Sequence, residues 1–437
     1  MSGGLLSLDL ARERILAGVE PLGSETVAIG AALGRILAAP LVARVDLPPF
    51  DNAAMDGYAV RAADVAGATD AAPARLVVVG DVRAGADAAA GPGPGEAVRI
   101  ATGAPLPAGA DTVVQVELTT PVDADGRTGE RGRDATGPLP AACLVHAALP
   151  AGAAVRRRGE DVRAGQELAS AGSEAGAALV AIASGSGNPT LDVHRRPRVA
   201  VLVTGDEVRP AGEPLPPGGL PDANGPGLRA LVVESGGEAV ELGIARDRLE
   251  EVIERLRTGI AGADVVVASG GVSVGPYDMV KPAFEAVGRI ELWRVAIQPG
   301  KPLTYGEAEA PDGRRVLLFG LPGNPVSAFV TFELFVRPVL RRLAGRRDIL
   351  RPVDRGRLMD PVSTSAGRRT FVRVVAERDP DGAERRDGSG RVLLRLAGGQ
   401  GSHVLSGLVA AEGLAVIPEE LGDAPAGTDV PLWWLRR

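Results

Sequence analysis

The sequence predicts a multi-domain protein of the α/β and β classes, with a small β domain, a central α/β domain and a β-rich C-terminal region. At roughly 150 residues per domain, its length of 437 residues corresponds to about three domains. From residue 197 onward, apolar strand patterns alternate with amphipathic helix patterns, which is typical of a layered α/β domain. Residues 351–437 contain strand patterns only. The predicted domains are 1–196, 197–346 and 347–437.

The N-terminal region is predicted to begin with helices and to contain an inserted small β domain over about residues 50–150. Leu, Ile, Ala and Val recur at helical spacing over residues 7–19 and 30–38, so we expect a helix in each. The polar, Gly-rich segment 122–137 is expected to be a long hairpin tip or a loop. Short apolar runs bounded by Gly and Pro predict three strands at 75–80, 97–103 and 111–117.

The central domain is predicted to contain a largely parallel sheet. Such sheets bind ligands at the carboxyl ends of their strands. In this sequence those ends carry the motifs TGDE (204–207), SGGVSVG (269–275) and LPGNP (321–325). The expected strands are 197–205, 238–245, 263–271 and 314–319. The expected helices are 225–236, 247–258, 276–287 and 325–344.

The C-terminal region is predicted to be rich in β-structure. Its polar segment 379–390 reads as a hairpin end, because it combines Gly, Pro and charged residues without any apolar periodicity. The expected strands are 370–377, 391–397, 413–419 and 429–435.

Composition excludes several functional classes. The net charge is −7 and no long basic run stands apart from acidic residues, so nucleic-acid binding is not expected. One cysteine, Cys143, rules out a disulfide framework or a Cys-based zinc site and favours a reducing cytoplasm. The N-terminal pattern is an amphipathic helix with charges at Asp9 and Arg12, and no apolar run reaches the ~18 residues of a membrane span.

The distribution of lysine indicates a site for a compact cation. Of 48 basic residues only Lys281 and Lys301 are lysine, and both lie close together in Gly-rich sequence. Lysine is a point charge with three rotatable donors, whereas arginine is a larger planar fork. The alternative is that the two lysines lie close together by chance. The residues around them decide between a cation-specific site and chance.

The segment SGGVSVG (269–275) is a candidate anion cradle, because a Gly-rich loop between a strand and a helix presents backbone N–H groups. A tight structural turn is an equally good interpretation of the pattern alone. Asp278 follows closely, and a carboxylate beside a phosphate generally requires a cation between them, which makes Asp278 a candidate Mg²⁺ ligand. The alternative for Asp278 is a charge that stabilises a helix N-terminus.

Other polar residues follow the remaining strand ends. Asp206 and Glu207 close the first strand, and Asp222 and Asn224 begin the next helix, where ordinary N-capping is a strong alternative. The segment GLPGNPVSAF (320–329) is a Pro-stiffened turn whose amides could face a ligand, or a plain helix start.

The N-terminal region adds further candidates. PPFDNAAMDGYAV (48–60) carries Asp51 and Asp56 on a Pro-stiffened segment, and ATGAPLP (101–107) presents Thr102 beside a flexible glycine. Three histidines, none of them in the Gly-rich motifs of the α/β domain, argue against a histidine-centred triad. Carboxylates, a divalent metal, lysine and backbone amides are the equipment of phosphoryl or nucleotidyl chemistry.

Taken together, the motifs resemble the MoeA family of molybdopterin molybdenumtransferases, which includes the E domain of gephyrin. The resemblance spans nearly the whole chain and keeps the family's order, through PPFDNAAMDGYAV, RIATGAPLPAGAD, RRRGEDV, PRVAVLVTGDEV, SGGVSVGPYDMVK, QPGKP, GLPGNPVSAF and QGSH. It implies a central three-layer α/β/α molybdopterin-binding domain and a C-terminal β-barrel-like domain.

The resemblance also implies the activity. Family members insert molybdenum from molybdate into adenylylated molybdopterin and release AMP with Mg²⁺. They act as homodimers whose active site is shared between subunits, downstream of a molybdopterin adenylyltransferase.

Matching the motifs residue by residue implies a set of site residues. Asp278 would sit with the metal and the phosphates, and Asp56 and Thr102 would reach in from the partner subunit. Glu207 and Asp222 are implied as further catalytic positions. The implied substrate-binding residues are Gly270, Gly271, Ser273, Lys281, Lys301, Pro322, Asn324, Pro325 and Asp161, and the implied molybdate contacts are Arg368 and Ser402.

The chain departs from some relatives by carrying Arg294 and Gln298 where they carry lysine. Three rivals share part of the pattern. Single-domain molybdopterin adenylyltransferases of the MogA type and CinA-like nucleotide hydrolases share only the α/β module. A peptide-binding scaffold would share the fold but should tolerate Asp56→Asn and Asp278→Asn.

Overall fold

The computed structural model describes residues 5–87, 90–133, 137–271 and 279–436. The chain divides into two compact units, each described by itself. The first unit comprises residues 1–26, 34–38 and 192–437, and the second comprises residues 27–33 and 39–191.

Helices occur mainly in the first unit. A π-helical turn, Phe332–Val336, joins two of them into one continuous helix. The helices are α1 (Leu8–Leu16), α2 (Ala62–Val65), α3 (Ala177–Gly185), α4 (Asn224–Glu234), α5 (Leu249–Gly262), α6 (Val280–Val287), α7 (Pro325–Thr331), α8 (Arg337–Leu343) and α9 (Ser406–Ala410). None of the helices in the described part of the chain is both long and apolar enough to cross a membrane.

Strands occur throughout both units. Through the second unit they are β1 (Ser24–Ala28), β2 (Leu41–Val42), β3 (Asn52–Ala53), β4 (Gly57–Val60), β5 (Ala74–Val82), β6 (Glu96–Ile100), β7 (Thr112–Gln115), β8 (Thr119–Val122), β9 (Ala142–Val145), β10 (Val155–Arg156), β11 (Glu167–Ala169) and β12 (Thr190–His194). Those that follow are β13 (Arg198–Thr204), β14 (Val208–Arg209), β15 (Leu220–Pro221), β16 (Glu238–Ala245), β17 (Val265–Ser269), β18 (Arg289–Arg294), β19 (Ile297–Gln298), β20 (Pro302–Glu309), β21 (Arg315–Leu321), β22 (Val353–Leu358), β23 (Arg369–Ala376), β24 (Val392–Leu396), β25 (Gly413–Ile417) and β26 (Asp429–Trp434).

The second unit is built around a six-stranded sheet with the order β7-β4-β6-β5-β9-β8. β5 and β6 are parallel, and the other neighbours are antiparallel. One face buries Tyr58, Leu76 and Cys143, and the other face buries Val98 and Val113. The three strands expected from short apolar runs are β5, β6 and β7, so the inserted small β domain is present.

The α/β part of the first unit has three layers. Its sheet has the order β16-β13-β17-β21-β20-β18, in which the first four strands are parallel. One face, which carries Val201 and Phe319, packs against a core that includes Ile15 of α1 and Leu228 of α4. The opposite face packs against α5 and α6 through residues such as Phe284. The expected three-layer α/β/α arrangement is therefore confirmed.

The sheet departs from a purely parallel one at a single edge. β20 and β18 run antiparallel to their neighbours, with Tyr305 opposite Phe319 and Trp293 opposite Leu303. The sequence analysis predicted no strand between residues 287 and 314 and so overlooked β20, which begins at Pro302.

The helix expected over residues 30–38 is wrong. A 3₁₀ turn at Ile29–Ala31 ends before Gly34, whose φ of +74° is incompatible with a right-handed helix. Leu37 instead forms an antiparallel bridge with Val193. Ile36 and Leu37 are buried in this extended segment, so their apolar character does not reflect helical periodicity.

The C-terminal strands close on themselves. β23 pairs with both β24 and β25, while β22 pairs with β24 and β26, and β25 pairs with β26. The enclosed core includes Leu358, Val372 and Trp434. The barrel-like domain implied by the resemblance is thus confirmed, with β22 as a member that the sequence pattern did not single out.

Candidate functional site

A cleft of about 620 Å³ opens at the carboxyl ends of the parallel strands in the first unit. Strands of a parallel sheet end at the same edge, so residues distant in sequence meet there. All three motifs predicted at strand ends contribute to its wall: Gly205, Glu207, Gly270, Gly271, Asn324 and Pro325. The topology therefore brings the three motifs together in one cleft.

The amide of Asn224 connects two of the strand ends. Its Nδ2 donates to the Ser269 hydroxyl at 2.9 Å and to the Gly323 carbonyl at 2.7 Å. The Ser269 hydroxyl in turn donates to the carbonyl of Pro322 at 3.2 Å. Asn224 therefore fixes the loops after β17 and β21 against each other instead of capping α4. Asp222, in contrast, binds the start of α4, because its Oδ1 accepts the Gly225 N–H at 2.9 Å.

Gly270 occupies a position that no other residue fits. Its φ is +102°, and a Cβ atom there would lie 2.5 Å from the Thr204 carbonyl oxygen. The loop after β17 therefore passes directly against the end of β13, which is the close backbone approach that glycine permits. Backbone groups, and not side chains, form this part of the cleft wall.

Three carboxylates line the cleft: those of Glu207, Asp222 and Asp247. Asp247 is a residue that the sequence reasoning missed. It lies two residues beyond β16, so the strand-end rule applied to the other strands would have found it. The Asp247 N–H donates to Asp206 Oδ1 and the Asp206 N–H donates to Asp247 Oδ2, both at 3.3 Å. The loops after β13 and β16 are thereby held together.

The environment of Asp247 raises the pKa of its carboxyl group. Burial is the largest cause, and the nearby negative charges of Asp206 and Glu207 add to it. Carboxylate oxygens are suitable ligands for Mg²⁺. Among the residues that the structure describes, no group of three or more His, Cys, Asp or Glu side chains is arranged to hold a metal ion. Asp278, the predicted metal ligand, and Ser273 lie outside the described residues.

We expect Asp247→Asn to stabilise the fold at neutral pH. A raised pKa means that the folded state disfavours the charged carboxylate, so ionisation costs stability above that pKa and costs nothing below the usual range of Asp. The variant should therefore melt at a higher temperature than wild type at pH 7, and the difference should shrink as the pH falls to 4. Thermal melts at both pH values measure this. Asp125→Asn, at an exposed hairpin position, serves as the control, and an equal or lower melting temperature for Asp247→Asn at pH 7 would contradict the expectation.

The loop after β24 reaches the same cleft. His403 and Leu405 contribute to its wall, and the Ser402 carbonyl accepts the Val326 N–H at 3.1 Å. Ser402, predicted from the resemblance, is therefore placed at the start of α7, beside Pro325. His403 was not predicted, because the sequence reasoning considered histidines only as members of a triad.

A buried arginine lies beneath this loop. Arg373 is fully buried, and its Nη2 donates to the carbonyls of Gly399 at 2.7 Å and Gly401 at 3.2 Å. Its Nε and Nη1 have no hydrogen-bond partner in the described part of the chain, and burial lowers the pKa of its guanidinium. Arg368, the predicted residue, is only half-buried. The sequence reasoning overlooked Arg373 because it stands inside an apolar strand pattern.

The two lysines occupy different settings. Lys281 lies on α6 with its Nζ 3.8 Å from Glu285, and Lys301 accepts the Val295 N–H with its backbone carbonyl. Neither lysine is among the described residues that line the cleft. Their assignment to the substrate phosphates stays a prediction.

In the second unit the structure brings together Asp56 and Thr102, which are 46 residues apart. Both the N–H and the hydroxyl of Thr102 donate to Asp56 Oδ1, at 2.6 and 2.9 Å. This pairing arises because β4 and β6 are adjacent, with Gly57 opposite Ile100. A Cβ at residue 57 would lie 1.9 Å from the Val114 carbonyl oxygen, so only glycine lets the chain turn here.

The other two acidic candidates of this unit, Asp51 and Asp161, form hydrogen bonds with partners other than Thr102. Asp51 accepts the backbone N–H of Arg158 and the side chain of Arg157, and these interactions lower the pKa of its carboxyl. Asp161 is exposed, and its N–H donates to the Leu47 carbonyl at 3.1 Å. Asp51 is thus a structural carboxylate, whereas the role of Asp161 stays a prediction.

Comparison with known proteins gives matches along the whole chain. Family models match three consecutive parts, described as the MoeA N-terminal region (domains I and II), a probable molybdopterin-binding domain and the MoeA C-terminal region (domain IV): residues 6–187, 200–342 and 355–435.

Similar proteins and structures cover the same span. A molybdopterin molybdenumtransferase of Nostoc sp. is 39% identical over 351 residues, which cover 80% of this chain and 76% of the relative. Molybdopterin molybdenumtransferase 2 of Mycobacterium tuberculosis is 36% identical over 414 residues, covering 93% and 94%. The crystal structure of a molybdopterin biosynthesis MoeA protein from Pyrococcus horikosii superposes with a TM-score of 0.77 at 33% identity, covering 99% of this chain and 100% of that one.

Proposed function

Because this chain belongs to the MoeA family, as its motifs predicted, we propose that it inserts molybdenum from molybdate into adenylylated molybdopterin and releases AMP. The carrying observation is the cleft at the strand ends, where carboxylates, Asn324 and the Gly270–Gly271 backbone converge. The matches to the N-terminal and C-terminal MoeA regions favour this activity over the adenylyltransferase and CinA-like alternatives, which share only the α/β module.

The cleft offers groups suited to each part of the substrate. We assign the phosphates to the backbone after β17, with Ser273, Lys281 and Lys301 as charged or polar contacts. Asp278 is proposed to hold Mg²⁺, which when bound would supply charge neutralisation for the phosphates and the departing AMP, and Glu207 and Asp222 are proposed as further catalytic carboxylates. The crowding of negative charge around Asp247 supports a cation at this end of the cleft.

Molybdate is a substrate, and as an oxyanion it suits N–H donors. Ser402 precedes His403, which lines the cleft, and Arg373 beneath this loop carries two guanidinium nitrogens that have no partner among the described residues. We propose that Ser402 and Arg368 contact molybdate, while the buried Arg373 positions the Ser402 loop through the carbonyls of Gly399 and Gly401. The substrate itself supplies the sulfur ligands of molybdenum. The enzyme therefore needs no cysteine cluster, which agrees with its single, buried cysteine.

We further propose a homodimer in which Asp56 and Thr102 of one subunit serve the cleft of its partner, with Asp161 as a further contact. A molybdopterin adenylyltransferase would supply the substrate. With only one, buried cysteine, we place the protein in a reducing cytoplasm.

Release of AMP provides the test. Purified protein is incubated with adenylylated molybdopterin and Mg²⁺, and AMP is followed with and without molybdate. We expect release that depends on both molybdate and Mg²⁺, with Lys301→Met losing at least about tenfold because it removes one charge contact to an oxyanion. Formation of adenylylated molybdopterin from molybdopterin and ATP would instead show that the protein is an adenylyltransferase. If neither reaction occurs, the result supports the peptide-binding scaffold.

A further inference from the structure

Arg373, on β23, is a fully buried cation in the C-terminal barrel. Its Nη2 donates to two neutral acceptors, the carbonyl oxygens of Gly399 and Gly401. Among the residues that the structure describes, its Nε and Nη1 have no hydrogen-bond partner and no carboxylate pairs with it. A buried guanidinium loses its hydration, and neutral carbonyls return less than a carboxylate would. This placement of Arg373 therefore costs stability.

The fold encloses the guanidinium closely. A Cβ atom at residue 407, in α9, would lie 3.0 Å from the Arg373 Nε and 2.8 Å from the carbonyl oxygen of Ala397. Only glycine therefore lets α9 pack this tightly over β23. The enclosed site leaves the loop carbonyls as the acceptors that the Arg373 side chain binds.

Gln400 ties the same loop to Arg373 by a second route. Its Oε1 accepts the Arg373 backbone N–H at 2.9 Å, and its Nε2 donates to the Arg373 carbonyl at 3.0 Å. The same Nε2 also donates to the Gly398 carbonyl at 3.1 Å. The side chain and the backbone of one strand residue thus hold the loop 398–401 in place. These interactions form the Arg373–Gln400 clamp.

The clamped loop leads directly into the cleft of the first unit. The residue after Gly401 is Ser402, whose carbonyl accepts the Val326 N–H at the start of α7. That N–H is one of those that a helix leaves without a partner in its own backbone. His403 follows and lines the cleft together with Pro325. The position of the loop therefore determines this end of the cleft wall.

We infer that the Arg373–Gln400 clamp positions the loop for molybdate, at a cost to the stability of the barrel. Gly398, Gly399 and Gly401 make the loop sequence intrinsically flexible, and the clamp fixes its backbone before the substrate arrives. The entropy of ordering the loop is then lost on folding and not on binding, which raises affinity. The identity of the ligand rests on the proposed function. Arg373 is a positioning residue, because it acts through the loop and does not touch the oxyanion.

Arg373→Met separates positioning from support of the barrel. It removes the charge at similar side-chain length, and water can bond the freed carbonyls because Gly399 and Gly401 are exposed. We expect the variant to melt at or above the wild-type temperature, since apolar replacement of a buried charge is often neutral or stabilising. Hydrogen–deuterium exchange, followed by mass spectrometry, should become faster over residues 398–405 and stay unchanged over β25.

The affinity for molybdate gives the functional readout. Equilibrium dialysis of molybdate alone against the full chain should show Arg373→Met binding at least about tenfold more weakly than wild type, because ordering the backbone of even one freed residue costs about that factor. Arg373→Lys should bind more tightly than Arg373→Met, since its amino group can still donate to one loop carbonyl.

Two further variants make the comparison specific. Gln400→Ala keeps the buried charge and opens only the second route, so it should speed exchange of the same loop and weaken molybdate binding about three- to tenfold. Arg337→Met is the matched control. Arg337 is a buried arginine of the same unit that donates to the Ile349 carbonyl at 3.1 Å. Whatever its effect on stability, this control should keep loop exchange and molybdate affinity within about twofold of wild type.

Several results would overturn the inference: no saturable binding of molybdate to wild type, loop exchange unchanged in both clamp variants, or faster exchange with unchanged affinity. If Arg373→Met melts well below wild type or fails to fold, the inferred stability cost is wrong, and Gln400→Ala then decides the positioning role by itself. The AMP assay on wild type separates the two proposals. Molybdate-dependent AMP release with an affinity that the clamp variants leave unchanged defeats the clamp alone. Weaker molybdate binding by those variants, without AMP release from wild type, defeats the proposed function alone.

Discussion

An equimolar mixture of subunits carrying Asp56→Asn with subunits carrying Asp278→Asn is expected to recover about a quarter of wild-type AMP release, provided the chains re-associate at random into two-fold symmetric dimers. Each variant alone should lose at least about a hundredfold, the scale on which loss of a positioned catalytic group acts. Recovery follows because half of the dimers are mixed. In those dimers, one shared site combines both changes and the other combines neither.

The geometry of Asp56 makes this a test of chemistry and not of folding. Thr102 donates twice to Oδ1 of Asp56, and the carbonyl oxygen of asparagine can accept the same two hydrogen bonds. The substitution therefore removes the charge and leaves the local structure in place. Asp51→Asn is the matched control in the same motif, because Asp51 is bound by Arg157 and Arg158 instead of Thr102, and it should keep activity within about twofold.

The mixing experiment has two contrary outcomes. If neither single variant loses AMP release, Asp56 and Asp278 are not required for the reaction and the shared-site proposal fails. If both lose activity and the mixture stays inactive after exchange of subunits is verified by mass, each site is complete within one chain and the shared-site proposal fails.

The α/β part of the fold was predictable because its strands are nearly continuous apolar runs and its helices are strongly periodic. The strands at 197–205 and 238–245 and the long helix over 325–344 lie close to their expected bounds. The edge strand β20 was not predictable, because its first residues read as a Gly- and Pro-rich loop. Pairing with β21 overrides that local signal.

The site was predictable to the extent that topology alone collects residues. Strand ends of a parallel sheet meet, so Glu207, Gly270 and Asn324 could be grouped from the order of strands and helices along the chain. Pairing of Asp56 with Thr102 could be expected only from the family resemblance, because it depends on which strands of the small β domain are neighbours.

The sequence pattern could not predict that a polar residue within a strand would be buried. Arg373 stands in the run RTFVRVVA, where alternation gives no reason to bury a cation in preference to exposing it. Its placement depends on the loop 399–402, whose carbonyls it binds from a separation of more than twenty residues. Such a partnership is a property of the closed barrel and not of the local sequence.

Loss of the Asp264 side chain is expected to destabilise the first unit strongly. It is 5% exposed and precedes β17. Its carboxylate accepts hydrogen bonds from both terminal nitrogens of Arg195, at 3.1 and 2.8 Å, and from the Arg198 N–H at 2.8 Å. Its backbone carbonyl accepts the Leu317 N–H. One residue thereby joins the segments that enter three adjacent strands, and its hydrogen bonds raise the pKa of the Arg195 guanidinium.

We expect Asp264→Ala to lower the free energy of unfolding of this unit by about 2–4 kcal/mol, because it removes a buried carboxylate that accepts hydrogen bonds from the partly exposed Arg195 and from a backbone N–H. Asp264→Asn should cost less, since its carbonyl oxygen still accepts the Arg198 N–H. Urea unfolding followed by tryptophan fluorescence reports on this unit, as Trp293, Trp433 and Trp434 all belong to it.

The control for this prediction is Asp379→Ala, which lies in the same unit. Asp379 pairs with Arg385 at 3.3 Å with both side chains about half exposed, so its loss should change stability by less than about 0.5 kcal/mol. A cost below about 1 kcal/mol for Asp264→Ala would mean that water replaces the lost carboxylate at the strand entrances, and the Asp264 network would then be a surface feature of the sheet edge. A cost in the expected range, with Asp264→Asn between the two alanine variants, identifies the carboxylate as the group that holds the entrances of the three strands together.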